Sequence, residues 1–223
     1  MIILYSLVCL LFDSGSSVII KEVNGKLRVS IYYEVLCPDS SRFIREQFYP
    51  TYNKLSPFLD VDFVPYGKAR RWMTRDGKWQ FKCQHDKAEC VGNKREGCVL
   101  YQTLPDFKKS KFVYCDFGHS SPGSSKSVKE CTGKVNASWS FVKSCMDSPK
   151  GDEILAHFGD ITDALSSPLS YVPAIAINGF YSPSMSRDLE FNFFDTICSM
   201  FDNKPDKCIS NATKFKPKKK HVM

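Results

Sequence analysis

Residues 27–40 read LRVSIYYEVLCPDS, a strand that runs straight into a helix with a cysteine at the join. Residues 27–36 are rich in β-branched and aromatic side chains, the composition of a buried strand. Cys37-Pro38-Asp39-Ser40 follows at once, with proline where a first helical turn tolerates it, because the missing N–H has no intrahelical partner to lose. From Ser41 to Tyr52 the apolar residues Phe43, Ile44, Phe48 and Tyr52 recur at helical spacing. Pro57 stops that segment, and residues 59–66, LDVDFVPY, predict a second strand with Leu59, Val61 and Phe63 on one face. The chain therefore opens β-α-β.

The C-terminal part has a complementary pattern. Tyr171-Val172-Pro173 precedes a short strand, Ala174 to Asn178, and Asn178-Gly179 is a strong hairpin turn signal. Phe180 and Tyr181 are expected to begin a return strand. Leu189 to Phe201 reads as a helix whose apolar stripe is Leu189, Phe193, Phe194, Ile197 and Phe201, a pattern of core packing. Between the halves lie residues 67–170, far more than one crossover helix requires. Ala88 to Leu104 and Asp152 to Leu165 are expected to be helical, and 118–130, GHSSPGSSKSVKE, a polar loop.

The chain has 223 residues, 43% hydrophobic and 25% charged, which is enough to bury a core and excludes a disordered chain. Ten cysteines point to an oxidising compartment. Residues 1–12 are almost wholly apolar and small residues follow at 14–17, so 1–17 is expected to be a signal peptide. Its removal takes Cys9 away and leaves an odd number of cysteines. The sequons at Asn136 and Asn211 suit a secreted glycoprotein.

The net charge of +7 is concentrated in two places, residues 68–82 and a lysine-rich tail, 214–223. The tail is a frayed end or a contact for anionic surfaces. The first patch interleaves Trp72, Trp79 and Phe81, but no nucleic-acid motif accompanies it, so nucleic acid is not an expected partner.

A cysteine at a helix start carries specific chemistry. Unpaired backbone N–H groups and the helix dipole favour a thiolate there, the species that attacks disulfides. Ser40, three residues on, stands where dithiol oxidoreductases keep a second, resolving cysteine, and its hydroxyl is placed to reach the Cys37 sulfur. Pro173 is expected to be the cis-proline that faces the reactive cysteine in thioredoxin-like folds. A zinc reading of Cys83, His85, Cys90 and Cys98 fails on spacing, so no metal is expected. A cysteine-protease reading of Cys37 with His85, His119 or His157 has no supporting signature.

Residues 83–93, CQHDKAECVGN, resemble the signature C-Q-H-G-x-x-E-C-x-x-N of the gamma-interferon-inducible lysosomal thiol reductase family, sharing Cys83, Gln84, His85, Glu89, Cys90 and Asn93. Residues 29–37 are similar to that family's active-site strand. Thr162 to Leu165, with Tyr171-Val172-Pro173 and Ile177-Asn178-Gly179, is similar to its cis-proline region. The resemblance spans about 27–208. Two departures stand out. Asp86 replaces the signature glycine, a change aspartate accommodates if the position needs a positive φ. Ser40 replaces the second cysteine of the family's C-x-x-C motif.

These readings together predict a thioredoxin-like α/β fold with a largely helical, disulfide-rich insertion at about 67–170, within a domain spanning 18–213. With Cys37 free, Cys83, Cys90, Cys98, Cys115, Cys131, Cys145, Cys198 and Cys208 are expected to form four disulfides, with Cys198–Cys208 the best single guess. The expected function is a secreted or lysosomal thiol-disulfide oxidoreductase that reduces protein disulfides through Cys37, Ser40 and Pro173. It needs no bound cofactor, because an external small thiol such as glutathione is the reductant. The alternative is a secreted binding protein on a thiol reductase scaffold.

Overall fold

The computed structural model describes residues 22–212, with side chains to residue 209. The 1–17 segment, the 214–223 tail and the Asn211 side chain lie outside the described residues. Strand β1, Leu27–Tyr33, is central: parallel to β2, Leu59–Pro65, on one side and antiparallel to β5, Ala174–Ile177, on the other. Val29 sits opposite Val61 and Ile177, and Ile31 opposite Phe63 and Ile175. Only Arg28 of β1 is exposed, as expected of a strand covered on both faces.

Between β1 and β2 runs one continuous helical segment, α1 (Pro38–Arg42), a π-helical stretch at Phe43–Phe48 and α2 (Tyr49–Leu55). Pro50 lies in the first turn of α2 and has no N–H to donate, and the wider π turn just before it absorbs the mismatch. Phe43, Ile44 and Phe48 face the sheet, with Phe48 edge-on to Phe63 at 5.4 Å.

The insertion opens with a hairpin, β3 (Arg70–Met73) and β4 (Trp79–Lys82), that charge and aromatic content did not announce. Arg71 is not free for a partner molecule, since it pairs with Asp160 at 2.7 Å and Asp163 at 2.9 Å. Five helices follow: α3 (Asp86–Leu100), α4 (Asp106–Asp116), α5 (Ser125–Val135), α6 (Trp139–Met146) and α7 (Pro149–Asp163). Helix α5 begins inside the stretch expected to be loop, because Ser124 caps it by accepting from the Ser127 N–H. Helix α7 covers the second face of the sheet, where Leu155 meets Tyr32, Val64, Ala174 and Ala176.

After β5, Asn178 at φ 50° and Gly179 at φ 80° make the expected turn, but the return strand is reduced to a single bridge, Ile177 to Phe180. Ser182 caps α8 (Pro183–Phe191) too soon for a strand to form. The expected long helix is two, α8 and α9 (Phe193–Ser199), broken at Asn192, whose φ of −141° is not helical. Helix α10, Asp206–Ala212, ends the described chain.

Four disulfides staple these helices: Cys83–Cys90, Cys98–Cys145, Cys115–Cys131 and Cys198–Cys208. Cys98–Cys145 joins α3 to α6 across 47 residues of sequence. Chain-entropy arguments give such a closure about 4 kcal/mol.

A buried acid pair locks the insertion to the sheet. Glu96 of α3 accepts from the Tyr33 hydroxyl of β1, and Asp116 of α4 accepts from the Gly123 N–H at 2.6 Å. The Arg95 guanidinium donates to the Gly123 carbonyl beside them. Burial, and then the charge of Asp116, holds the Glu96 carboxyl well above the usual carboxylate range. A raised carboxyl contributes stability in full below its unfolded value, about 4.3, and loses it as pH climbs through the folded value. The thermal midpoint of the native chain should therefore exceed that of Glu96→Gln by more at pH 5 than at pH 7. A change in that difference of at least ~3 °C corresponds to about 1 kcal/mol at this chain length. Calorimetric scans of both proteins at the two pH values measure it, and a pH-independent gap would refute the assignment.

Candidate functional site

Cys37 is the residue on which α1 begins, with φ −74° and ψ 121°. Its N–H donates back to the Glu34 carbonyl at 3.2 Å, and its carbonyl accepts from the Ser41 N–H at 3.1 Å. The strand end thus turns sharply into the helix with the sulfur on the turn. β5 pairs antiparallel with β1, Ala174 opposite Tyr32, so the residues just before β5 arrive beside the residues just after β1. Those residues are Val172 and Pro173, joined by a cis peptide bond. The Cys37 thiol donates to the Val172 carbonyl at 3.7 Å, a sulfur hydrogen bond. Cys37 and Pro173 therefore share one site, built from opposite ends of the chain.

Cys37 is the free cysteine among the described residues, and it is 8% exposed. Its sulfur lies under the Val172 carbonyl rather than open to solvent. Ser40 is fully buried in the first turn, and its hydroxyl makes no hydrogen bond. The contact expected between that hydroxyl and the Cys37 sulfur does not form, because the thiol is directed at Val172. At the rim Arg42 bridges Asp39 at 2.8 Å and Glu190 at 3.2 Å.

Residues 83–93 hold this site from behind. Cys83–Cys90 closes a loop in which Asp86 takes a φ of 62°, the left-handed conformation that its glycine counterpart adopts without cost. Glu89 accepts from the His85 N–H at 3.1 Å and meets the His85 ring at 2.6 Å. One turn on, the Asn93 side chain accepts from the Val35 N–H at 3.0 Å. Val35 lies two residues before Cys37, so α3 grips the strand end that presents the thiol. The fit is tight: a Cβ added to Gly92 would stand 2.6 Å from a Val35 methyl. Glu34 reaches sideways to accept from the Lys68 N–H at 2.8 Å, and the Lys68 ammonium donates to the Ser170 carbonyl at 3.3 Å. Lys68 thereby ties the segment after β2 to the loop that carries Val172 and Pro173. Burial, partly offset by that Lys68 N–H, raises the Glu34 carboxyl above its ordinary range.

Glu34, Lys68 and the bond from Asn93 to Val35 were not singled out from sequence as parts of the site. A signal was present: Glu89, Asn93 and Glu96 recur on the buried face of α3, where a purely structural helix would carry apolar side chains. The cysteines of the rejected zinc set, Cys83, Cys90 and Cys98, are all consumed in disulfides. Asn136 is exposed, at φ 54° where α5 ends.

The family model described as gamma interferon inducible lysosomal thiol reductase (GILT) matches residues 28–135. A gamma-interferon-inducible lysosomal thiol reductase-like protein of Anopheles gambiae is 32% identical over 198 residues, covering 83% of this chain and 81% of that protein. A gamma-interferon-inducible lysosomal thiol reductase of Carassius auratus is 32% identical over 183 residues, covering 81% and 71%. Among solved structures, the disulfide bond oxidoreductase DsbG of Mycobacterium tuberculosis aligns with a TM-score of 0.53 at 17% identity, covering 92% of this chain and 89% of that one. MdbA of Actinomyces oris, a thiol-disulfide oxidoreductase, aligns with a TM-score of 0.51 at 14% identity, covering 87% and 83%. At such identities these two structures speak for the thioredoxin-like fold alone.

Proposed function

The chain belongs to the gamma interferon inducible lysosomal thiol reductase family of thiol-disulfide oxidoreductases, and we propose that it reduces protein disulfides through Cys37 with an external small thiol as resolving partner. The observation that carries this reading is a free thiol at a helix start, held against the loop of Pro173, in a chain whose eight other described cysteines are oxidised. The Cys37 thiolate attacks a substrate disulfide, forming a mixed disulfide and releasing one substrate thiolate, which takes up a proton. Position 40 offers a hydroxyl, which does not attack sulfur, so a first external thiol displaces the other substrate half. A second external thiol then frees Cys37 and departs as the oxidised small disulfide. The two electrons come from the two external thiols, and the protein ends unchanged.

Pro173 flanks the thiol and is assigned to substrate contact, while Ser40 packs the first turn. Glu34, Asn93 and Lys68 position the strand end rather than touch substrate. The apolar start at 1–12 and the four disulfides support passage through the secretory pathway to the cell exterior or the lysosome. The domain then runs over 18–213, with Asn136 and Asn211 as glycan acceptors and the lysines of 214–223 as a contact for anionic surfaces.

The test is reduction of a disulfide-bonded protein at acid and neutral pH with and without glutathione. Catalytic turnover is expected only with the small thiol, and without it release should stop at one substrate thiol per protein. Rapid multiple turnover in the absence of any small thiol would overturn the resolving role given to it.

A further inference from the structure

Behind the reactive turn, two buried carboxylates and one half-exposed imidazole converge. Each carboxylate spends one oxygen on a backbone N–H: Glu34 on Lys68 at 2.8 Å and Glu89 on His85 at 3.1 Å. The second oxygen of each is turned toward the His85 ring, where Nδ1 lies 2.6 Å from Glu89 Oε2 and 3.8 Å from Glu34 Oε2. These three side chains offer ligand atoms within 4.8 Å of one another. Glu34 Oε2 has no hydrogen-bond partner, although Glu34 is only 1% exposed. A buried carboxylate oxygen without a donor is costly, so the site lacks a positive group at that point. Lys68 does not supply it, because its ammonium is engaged with Ser170.

We propose that Glu34, His85 and Glu89 form a three-point site for one divalent transition-metal ion. Carboxylate oxygen and imidazole nitrogen are a donor set that zinc and its neighbours accept, with waters completing the shell. The two carboxylates balance the charge of a dication. His85, whose side chain is 42% exposed, leaves an entry path and open coordination positions on the solvent side. The slot is also preformed: a Cβ at Gly67 would stand 2.3 Å from Glu34 Cγ, so Gly67, at φ 59°, leaves room for the Glu34 side chain. The other compact group of metal-ligating residues among the described residues, Cys115, His119 and Cys131, has both sulfurs bonded to each other and cannot bind in the same way. An ion held by Glu34 would sit on the residue whose carbonyl accepts the Cys37 N–H, close behind the reactive turn.

The experiment is calorimetric titration of zinc chloride into the full, disulfide-intact chain at neutral pH, in a Cys37→Ser background so that the free thiol does not ligate. Saturable binding of one ion per chain is expected. His85→Ala and Glu34→Gln should each weaken it at least about ten-fold, at the low end of what even supporting residues of metal sites contribute. His85 is half-exposed, so its removal leaves the fold intact, and circular dichroism without metal checks this. If Glu34→Gln does not fold, His85→Ala alone decides. No saturable binding, or binding that His85→Ala leaves unchanged, overturns the proposal, the latter placing zinc at another histidine or a surface carboxylate.

Discussion

Mixed with a disulfide-bonded protein and no small thiol, the wild-type chain accumulates one covalent adduct through Cys37, and Cys37→Ala forms none and loses all protein-dependent reduction. The sulfur sits on the strand-to-helix turn, free of any disulfide. It is held only by a 3.7 Å contact to the Val172 carbonyl, which an incoming disulfide can displace. Resolution then stalls. Every other described cysteine is in a disulfide, and position 40, where a resolving thiol would stand, is a buried serine. A non-reducing gel should show a band of the summed mass that disappears on adding glutathione. Because Cys37 is 8% exposed, the adduct should form slowly with large folded substrates and fast with partly unfolded ones, whose chains can reach the Val172 loop. Absence of any adduct at any pH between about 4.5 and 8 would favour the binding-scaffold alternative. An adduct that no small thiol releases would make the protein a disulfide-capturing binder.

The parts of the fold legible in the sequence were those written in local pattern. β1 shows as a run of β-branched and aromatic residues, α1 as a proline at a helix start, and α3, Asp86–Leu100, largely within the helix expected over Ala88 to Leu104. The odd cysteine count left after Cys9 pointed to a free thiol, and the need for four disulfides followed from it. Where composition and local capping compete, composition misled. Residues 125–130 look like a serine-rich loop, yet the Ser124 cap starts a helix there. The hairpin at 70–82 looks like a charged patch, because its strands are only four residues each and mostly solvent-facing, so the alternation of Trp79 and Phe81 with Gln80 and Lys82 is too short to stand out. Of the long-range arrangements, the approach of Pro173 to Cys37 was expected from the order of strand, hairpin and final helix, but the side-chain partners were not legible. Nothing near Ser40 in sequence says that its hydroxyl has no partner, since that depends on Val172 arriving from the far end of the chain. The convergence of Glu34 with His85 and Glu89 likewise exists only after the β3–β4 hairpin folds back and returns the chain to the end of β1.

The buried, unpartnered Ser40 hydroxyl makes Ser40→Cys the most telling substitution. A thiol there is a smaller polar load than a hydroxyl that lacks a hydrogen bond, so the variant should fold at least as stably as the native chain. Three residues apart at a helix start, the two sulfurs fall within reach of a disulfide. The new thiol acts only after the mixed disulfide has formed, at the high effective concentration of a group in the same turn. Turnover at limiting small thiol should therefore rise at least about ten-fold, as an intramolecular step replaces a bimolecular one. The first step should change little, because attack still begins at Cys37 under the same Val172 carbonyl. Single-turnover alkylation of the reduced protein reads the first step, and multiple-turnover reduction reads the second. The adduct that accumulates in the native chain should vanish in the variant, which should instead isolate with a Cys37 disulfide to the new sulfur. Unchanged turnover alongside such a disulfide would mean that a group other than position 40 already resolves the intermediate, and the external thiol would keep only its role as the source of electrons.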